Sequence, residues 1–212
     1  MIGVLALAFG ALGAACGLAA DRVAARWPDH EYDDVRRIGW RTAVVVVFGA
    51  LALGAVPGSF AGSPERVLAA AVLTVMALMM ATDLDQRLLP DELTLPLIAL
   101  GVVTLALGGD SLTAGVPWLV VAGVAVGVPA VLFAVSIPFG EGAFGGGDVK
   151  FLVGAGLLIG PARLVAAVLA GSVLCGVVVG ALVLARRLSL KDYVPFGPFL
   201  ILGAASALLA AS

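Results

Sequence analysis

Residues 66–92 read RVLAAAVLTVMALMMATDLDQRLLPDE. Positions 67–82 carry no charge, and Asp83 follows them directly. A helix rises 1.5 Å per residue, and about 20 mostly apolar residues cross a bilayer. The stretch therefore reads as a membrane helix that ends in a carboxylate. A charge at that edge is expensive unless it is paired, hydrated or used.

The rest of the chain has the same character. Its 212 residues are 62% hydrophobic and 12% charged, with a mean hydropathy of +1.16. Soluble domains run nearer roughly half apolar and a quarter charged, so a large soluble domain is excluded. Eight apolar segments are expected, at 2–20, 42–57, 66–82, 93–108, 115–137, 149–160, 162–185 and 196–211. The fold class is thus all-α: a polytopic membrane protein of about eight transmembrane segments, one of them short or broken, in a single domain over 1–212. The sixth segment is the short one. It ends at Gly160-Pro161, where proline removes a donor, and merging it with the seventh would leave seven spans. The first segment does not read as a cleavable signal, because its basic residues, Arg22 and Arg26, follow it rather than precede it.

Charge gives the orientation. Ten of the twelve basic residues lie after odd-numbered segments, and only Arg66 and Arg163 lie on the opposite side. Basic loops stay cytoplasmic, so both termini are expected outside and the odd-numbered loops inside. The net charge of -2 argues against a nucleic-acid partner, which selects for a basic face. Cys16 and Cys175 sit alone in apolar runs and His30 is the sole histidine, so no metal site is expected. Small residues, as in Gly10-Ala11-Leu12-Gly13 and Gly171-Ser172, are expected to serve close helix packing.

The acidic residues sort by context. Asp21, Asp29, Glu31, Asp33 and Asp34 fall among arginines in 21–41, read as a solvated mixed-charge loop; Glu65, Asp110 and Asp192 read as loop charges. Asp85 reads as a solvated interface charge. Asp91, between Pro90 and a new apolar run, reads as a helix N-cap. The stretch 139–150, FGEGAFGGGDVK, sets three glycines before Asp148. Taken alone it is a connector with a capping aspartate. No Gly-Lys-Ser/Thr follows, and an aspartate at a helix start repels phosphate, so nucleotide binding is not expected.

Asp83 and Asp148 lie 65 residues apart, on the same side in the expected topology. Two close carboxylates in a poorly hydrated site cannot both ionise cheaply and share a proton. One can then activate water while the other protonates a carbonyl oxygen, which is an apparatus for peptide hydrolysis without a metal. Spacing alone leaves open whether the two meet.

The ordered set Asp83, Pro90-Asp91, Leu93-Thr94-Leu95-Pro96, Gly145-Gly146-Gly147-Asp148-Val149-Lys150 and Pro195-Phe196-Gly197-Pro198-Phe199 resembles the prepilin peptidases, or type IV leader peptidases. These are polytopic Gly-x-Gly-Asp aspartyl proteases of the inner membrane. The resemblance runs from about residue 67 to the C terminus. It implies that Asp83 and Asp148 are the catalytic aspartates and that Pro90, Asp91, Gly145, Gly146, Gly147 and Lys150 support the site. For Lys150 a snorkelling interfacial charge is the plainer alternative. The implied substrate is the basic cytoplasmic leader of a type IV prepilin or pseudopilin, cut just after a glycine ahead of a hydrophobic helix. The remaining partners are membrane lipids, no cofactor is implied, and oligomeric state stays open. The implied location is the inner membrane, with the active-site loops at the cytoplasmic face. Bifunctional family members carry a larger cytoplasmic domain with two Cys-x-x-Cys pairs and a linked N-methyltransferase. Here 21–41 stands in its place without a cysteine, so methylation is not expected.

Three other readings compete. Presenilin-like proteases resemble the chain in their Gly-Asp motif but not in Thr82-Asp83 or 195–198. A proton-coupled transporter would use intramembrane carboxylates and broken helices, although here the acids gather at one face. An inactive scaffold of the same fold is the third.

Overall fold

The computed structural model describes residues 2–27, 38–108, 113, 115–139, 144–189 and 194–210. His30, most of the acidic residues of the 21–41 loop, Asp110, Glu141 and Asp192 lie outside the described residues.

The described residues form eight α-helices and no strand. They are α1 (Ile2–Ala24), α2 (Trp40–Ser59), α3 (Ser63–Gln86), α4 (Asp91–Ala106), α5 (Trp118–Ser136), α6 (Gly146–Ile159), α7 (Pro161–Leu184) and α8 (Gly197–Leu209); a 3-10 turn, Ile137–Phe139, extends α5. Helices are dictated here because every backbone donor and acceptor is then satisfied within its own segment. Five of them, α1, α2, α3, α5 and α7, are long and apolar enough to cross a membrane. Their outward faces carry large apolar side chains such as Leu7, Leu51, Val131, Leu169 and Val173, which water would not tolerate as continuous patches. This is a multi-pass membrane protein. Besides α6, with 14 residues, α4 and α8 are also short, with 16 and 13. At 1.5 Å per residue these fall short of the ~30 Å hydrocarbon core.

The sixth and seventh segments are separate helices. Gly160 has φ 82, and its N–H donates to the Gly156 carbonyl at 3.0 Å, closing α6. Pro161 then opens α7 at a position where its missing N–H costs nothing. Only glycine adopts that positive φ without strain.

Small residues set the closest helix contacts, at particular positions. A Cβ on Gly13 would overlap the carbonyl of Gly49, and one on Gly49 that of Gly13, so α1 and α2 pack backbone to backbone. Gly171 meets Phe199 in the same way where α7 crosses α8, and Gly154 meets Leu97 where α6 crosses α4. In lipid such contact replaces the hydrophobic drive that holds soluble helices together. α3 is the most buried of the five long helices, packed against α1, α2 and α8.

The alternation of directions brings the ends of α1 and α3 and the starts of α2, α4, α6 and α8 to one face of the bundle. There the expected solvated loop is corrected at both ends. α1 continues to Ala24, α2 has begun by Trp40, and Asp21 is fully buried. Its burial is made possible by Arg41, whose Nε lies 3.1 Å away.

Candidate active site

Asp83 lies on the last turn of α3, and its side chain is nearly buried. Arg87 ends the helix in the left-handed conformation, φ 55, and donates its N–H to the Asp83 carbonyl at 2.9 Å. The turn bearing Asp83 is thus closed by a hydrogen bond before the chain leaves it. Asp83 Oδ2 accepts no hydrogen bond from any described residue. An unpaired buried polar atom costs about 1–3 kcal/mol, and in native proteins such an atom calls for a specific explanation.

Asp148 is the third residue of α6. The Gly145 N–H donates to its Oδ2 at 3.2 Å, which satisfies an orphan donor at the helix start. The capping role read from the sequence is present and occupies one of the two oxygens.

The two carboxylates meet at Gly197, the first residue of α8. A Cβ on Gly197 would stand 2.5 Å from Asp83 Oδ2 and 3.4 Å from Asp148 Oδ1. The two oxygens are therefore no farther apart than the sum of those distances, about 6 Å, within the ~4–6 Å over which charges shift each other's ionisation. Phe144 and Phe196, immediately before the glycine run and α8, pack with ring centroids 6.1 Å apart and planes tilted by 58°. That edge-inclined aromatic contact ties the two chain entries together beside the carboxylates.

The three glycines of the motif differ in what they do. None has a positive φ. A Cβ on Gly147 would come within 2.9 Å of Leu89 Cβ and 3.1 Å of its carbonyl oxygen, whereas one on Gly146 would meet nothing within 4 Å. Gly147 alone lets the start of α6 lie against the segment between α3 and α4. Pro90, buried, holds the N-cap position of α4 at φ -64, and its carbonyl accepts the N–H groups of Leu93 and Thr94 at 3.1 Å.

Two sequence expectations are corrected. Asp91 is not an N-cap; it follows the cap, and its oxygens accept from Lys150 Nζ at 2.6 and 2.8 Å. Lys150 accordingly bridges α6 to α4 instead of reaching freely into the interface. Asp85 is not solvated: its side chain is 1% exposed and pairs with Arg41. In each case the deciding partner is tens of residues away. Gly197 and the Phe144–Phe196 pair also escaped the sequence reading as site residues. A glycine before a proline at a helix start signals only the start. Among the described residues no three His, Cys, Asp or Glu side chains gather closely enough to hold a metal ion.

A paired-aspartate site on polytopic helices coincides with a family assignment. The Type IV leader peptidase family profile matches residues 70–180. The chain belongs to the type IV leader peptidase family. Among its relatives, the prepilin leader peptidase/N-methyltransferase of Aeromonas salmonicida (strain A449) is 35% identical over 144 residues, 67% of this chain and 49% of that protein. The protein of the same name from Burkholderia pseudomallei (strain 1026b) is 32% identical over 161 residues, 76% of this chain and 51% of its own. The chain spans about half the length of these leader peptidase relatives. No solved structure matches it significantly. The family match covers most of α3, all of α4 to α6 and most of α7, and so includes both aspartates, Asp91 and Lys150.

Proposed function

We propose that the chain is a membrane aspartyl endopeptidase that removes the basic leader of a type IV prepilin or pseudopilin, with Asp83 and Asp148 as a proton-sharing dyad. The observation that carries this reading is the approach of Asp83 Oδ2 and Asp148 Oδ1 from α3 and α6 across Gly197. The unpaired oxygen of Asp83 supports it, because a group held ready for a reacting partner is left unsatisfied by its own protein. In this reading one carboxylate takes a proton from water, and the oxygen attacks the scissile carbonyl carbon. The other carboxyl gives its proton to the carbonyl oxygen. The tetrahedral intermediate then expels the leaving amine, which takes a proton from the dyad as the C–N bond breaks. Gly147, lying against Leu89, and the Asp91–Lys150 pair hold the start of α6 against α4 and the segment that leads into it, while the Gly145 N–H orients Asp148.

The site's face is the cytoplasmic one in this proposal. Arg22, Arg26, Arg41, Arg87, Lys150, Arg186 and Arg187 cluster at that end, and basic loops remain inside. The termini then lie on the outer side of the inner membrane, and the leader of a membrane-anchored substrate meets the acidic pair at the opposite, cytoplasmic face. Because 21–41 lacks cysteine, the activity proposed is peptidase without N-methyltransferase.

The test uses purified protein in liposomes with a substrate carrying a basic leader, a glycine and a hydrophobic helix. Mass spectrometry of the N terminus should show cleavage after the glycine by wild type. Asp83→Asn and Asp148→Asn should each lower the rate by more than about 10²-fold while remaining folded, since half a proton shuttle does no general acid–base work. Full activity in either variant would remove that residue from the dyad, and an inert wild type would sink the peptidase reading.

A further inference from the structure

A second polar cluster lies on the other side of the turn that bears Asp83. Residues two apart on a helix point away from each other, so Asp85 faces α1 and α2 while Asp83 faces α8. Arg41, the second residue of α2, donates Nε to Asp21 Oδ1 at 3.1 Å and Nη1 to Asp85 Oδ1. Thr42 Oγ1 donates to the second oxygen of Asp21 at 2.9 Å. Gln86 Nε2 donates to Asp85 Oδ2 at 3.1 Å and to the Ala24 carbonyl at 2.9 Å. One guanidinium thus straps together the ends of three helices. The side chains of Asp21, Asp85 and Arg41 are 0%, 1% and 17% exposed.

The strap sits where the helix needs it. The last carbonyls of a helix lack intrahelical partners, and terminal turns fray. Beyond Gln86 the chain runs to α4, which scarcely touches α3. The last turn of α3 is therefore held from two sides: by α8 at Gly197, and by Arg41 and Gln86 opposite. Rotation of that turn about the α3 axis would carry the Asp83 carboxylate away from Asp148. A misplacement of ~1 Å can cost about 10²-fold in rate.

We infer that Arg41 is a positioning residue: its fork to Asp21 and Asp85 fixes the rotation of the last turn of α3 and so holds Asp83 against Asp148. The rate consequence rests on the peptidase reading; the geometric one does not. Lysine at this place keeps the charge but, as a compact point donor, cannot reproduce a planar fork between two carboxylates.

The closing experiment has two arms. In protein carrying Cys16→Ala and Cys175→Ala, the pair Asp83→Cys and Asp148→Cys reports proximity through the fraction joined by a short bis-methanethiosulfonate reagent. Adding Arg41→Lys should lower that fraction several-fold without loss of helical content. In protein with both aspartates intact, Arg41→Lys should lower kcat by about 10²-fold with KM within about twofold. Asp85→Asn, which keeps the shape and removes one charge of the strap, should act in the same direction. A structural role alone would reduce the folded fraction and leave kcat per folded molecule and the joined fraction unchanged. Wild-type values for both variants in both arms would overturn the inference, as would failure of both to fold. If wild type cleaves nothing yet Arg41→Lys still lowers the joined fraction, the peptidase reading fails and the positioning stands.

Discussion

The carboxylates of Asp83 and Asp148 approach each other across the α-carbon of Gly197, and a methyl group at that position would stand 2.5 Å from Asp83 Oδ2. The obstructing atom is the end of a short side chain, so the side chain and not the backbone would yield. Rotation of Asp83 off its rotamer costs about 0.5–1.5 kcal/mol. Gly197→Ala is therefore expected to lower thermal stability in detergent by about that amount while slowing leader cleavage by about 10²-fold. Melting followed by circular dichroism, beside single-turnover cleavage, separates the two effects. A variant that melts early and cleaves at the wild-type rate would contradict this account of Gly197.

Two neighbouring glycines should respond in opposite ways. Gly146 lies in the first turn of α6 with open space where a Cβ would go. Gly146→Ala should leave stability unchanged or raise it by up to about 1 kcal/mol, the helix cost of glycine. At Gly147 the Cβ would press on Leu89 at 2.9 Å, and Gly147→Ala should cost about 1–3 kcal/mol through overpacking. Thermal unfolding of the two variants side by side measures the contrast.

The Asp91–Lys150 pair is short, yet its side chains are 56% and 40% exposed. Exposed ion pairs contribute about 0–1 kcal/mol, and salt screens them. A double-mutant cycle with Asp91→Ala and Lys150→Ala should give a coupling energy below about 1 kcal/mol, falling further as ionic strength rises. A larger or salt-insensitive coupling would mean that the pair is drier than its exposure indicates.

Backbone contact between α1 and α2 admits no side chain at Gly13 or Gly49. Gly13→Val and Gly49→Val should each separate the two helices and lower stability by about 3 kcal/mol, the upper range for overpacking. Gly3→Val is the natural control, since a Cβ there would meet nothing within 4 Å. Unfolding in mixed detergent, followed by intrinsic fluorescence, reads all three.

Much of the fold was legible in the chain because lipid is a demanding solvent. Apolar runs long enough to span it must be helices, and the eight runs expected from the sequence correspond to the eight helices among the described residues. Even the break at Gly160-Pro161 is visible locally, because proline stops one helix and starts another. The candidate dyad was legible through the unusual placement of Asp83 and Asp148 at the ends of apolar runs. The environments of Asp21, Asp85 and Asp91 are not legible locally, for one shared reason. The neighbours of each in sequence suggest solvent or a cap, while its partner, Arg41 or Lys150, stands 20, 44 or 59 residues away.

By itself, then, the sequence determined the membrane character, the helical secondary structure and the placement of two carboxylates at the ends of apolar runs, all of which depend on local composition and period. Only the tertiary structure decided that Asp83 and Asp148 meet at Gly197, that Gly147 and not Gly146 must lack a side chain, and that Arg41 joins three helix ends. Those facts depend on distances between segments. Such distances are set by backbone-to-backbone packing and by the satisfaction of buried charge, neither of which leaves a local periodic signal.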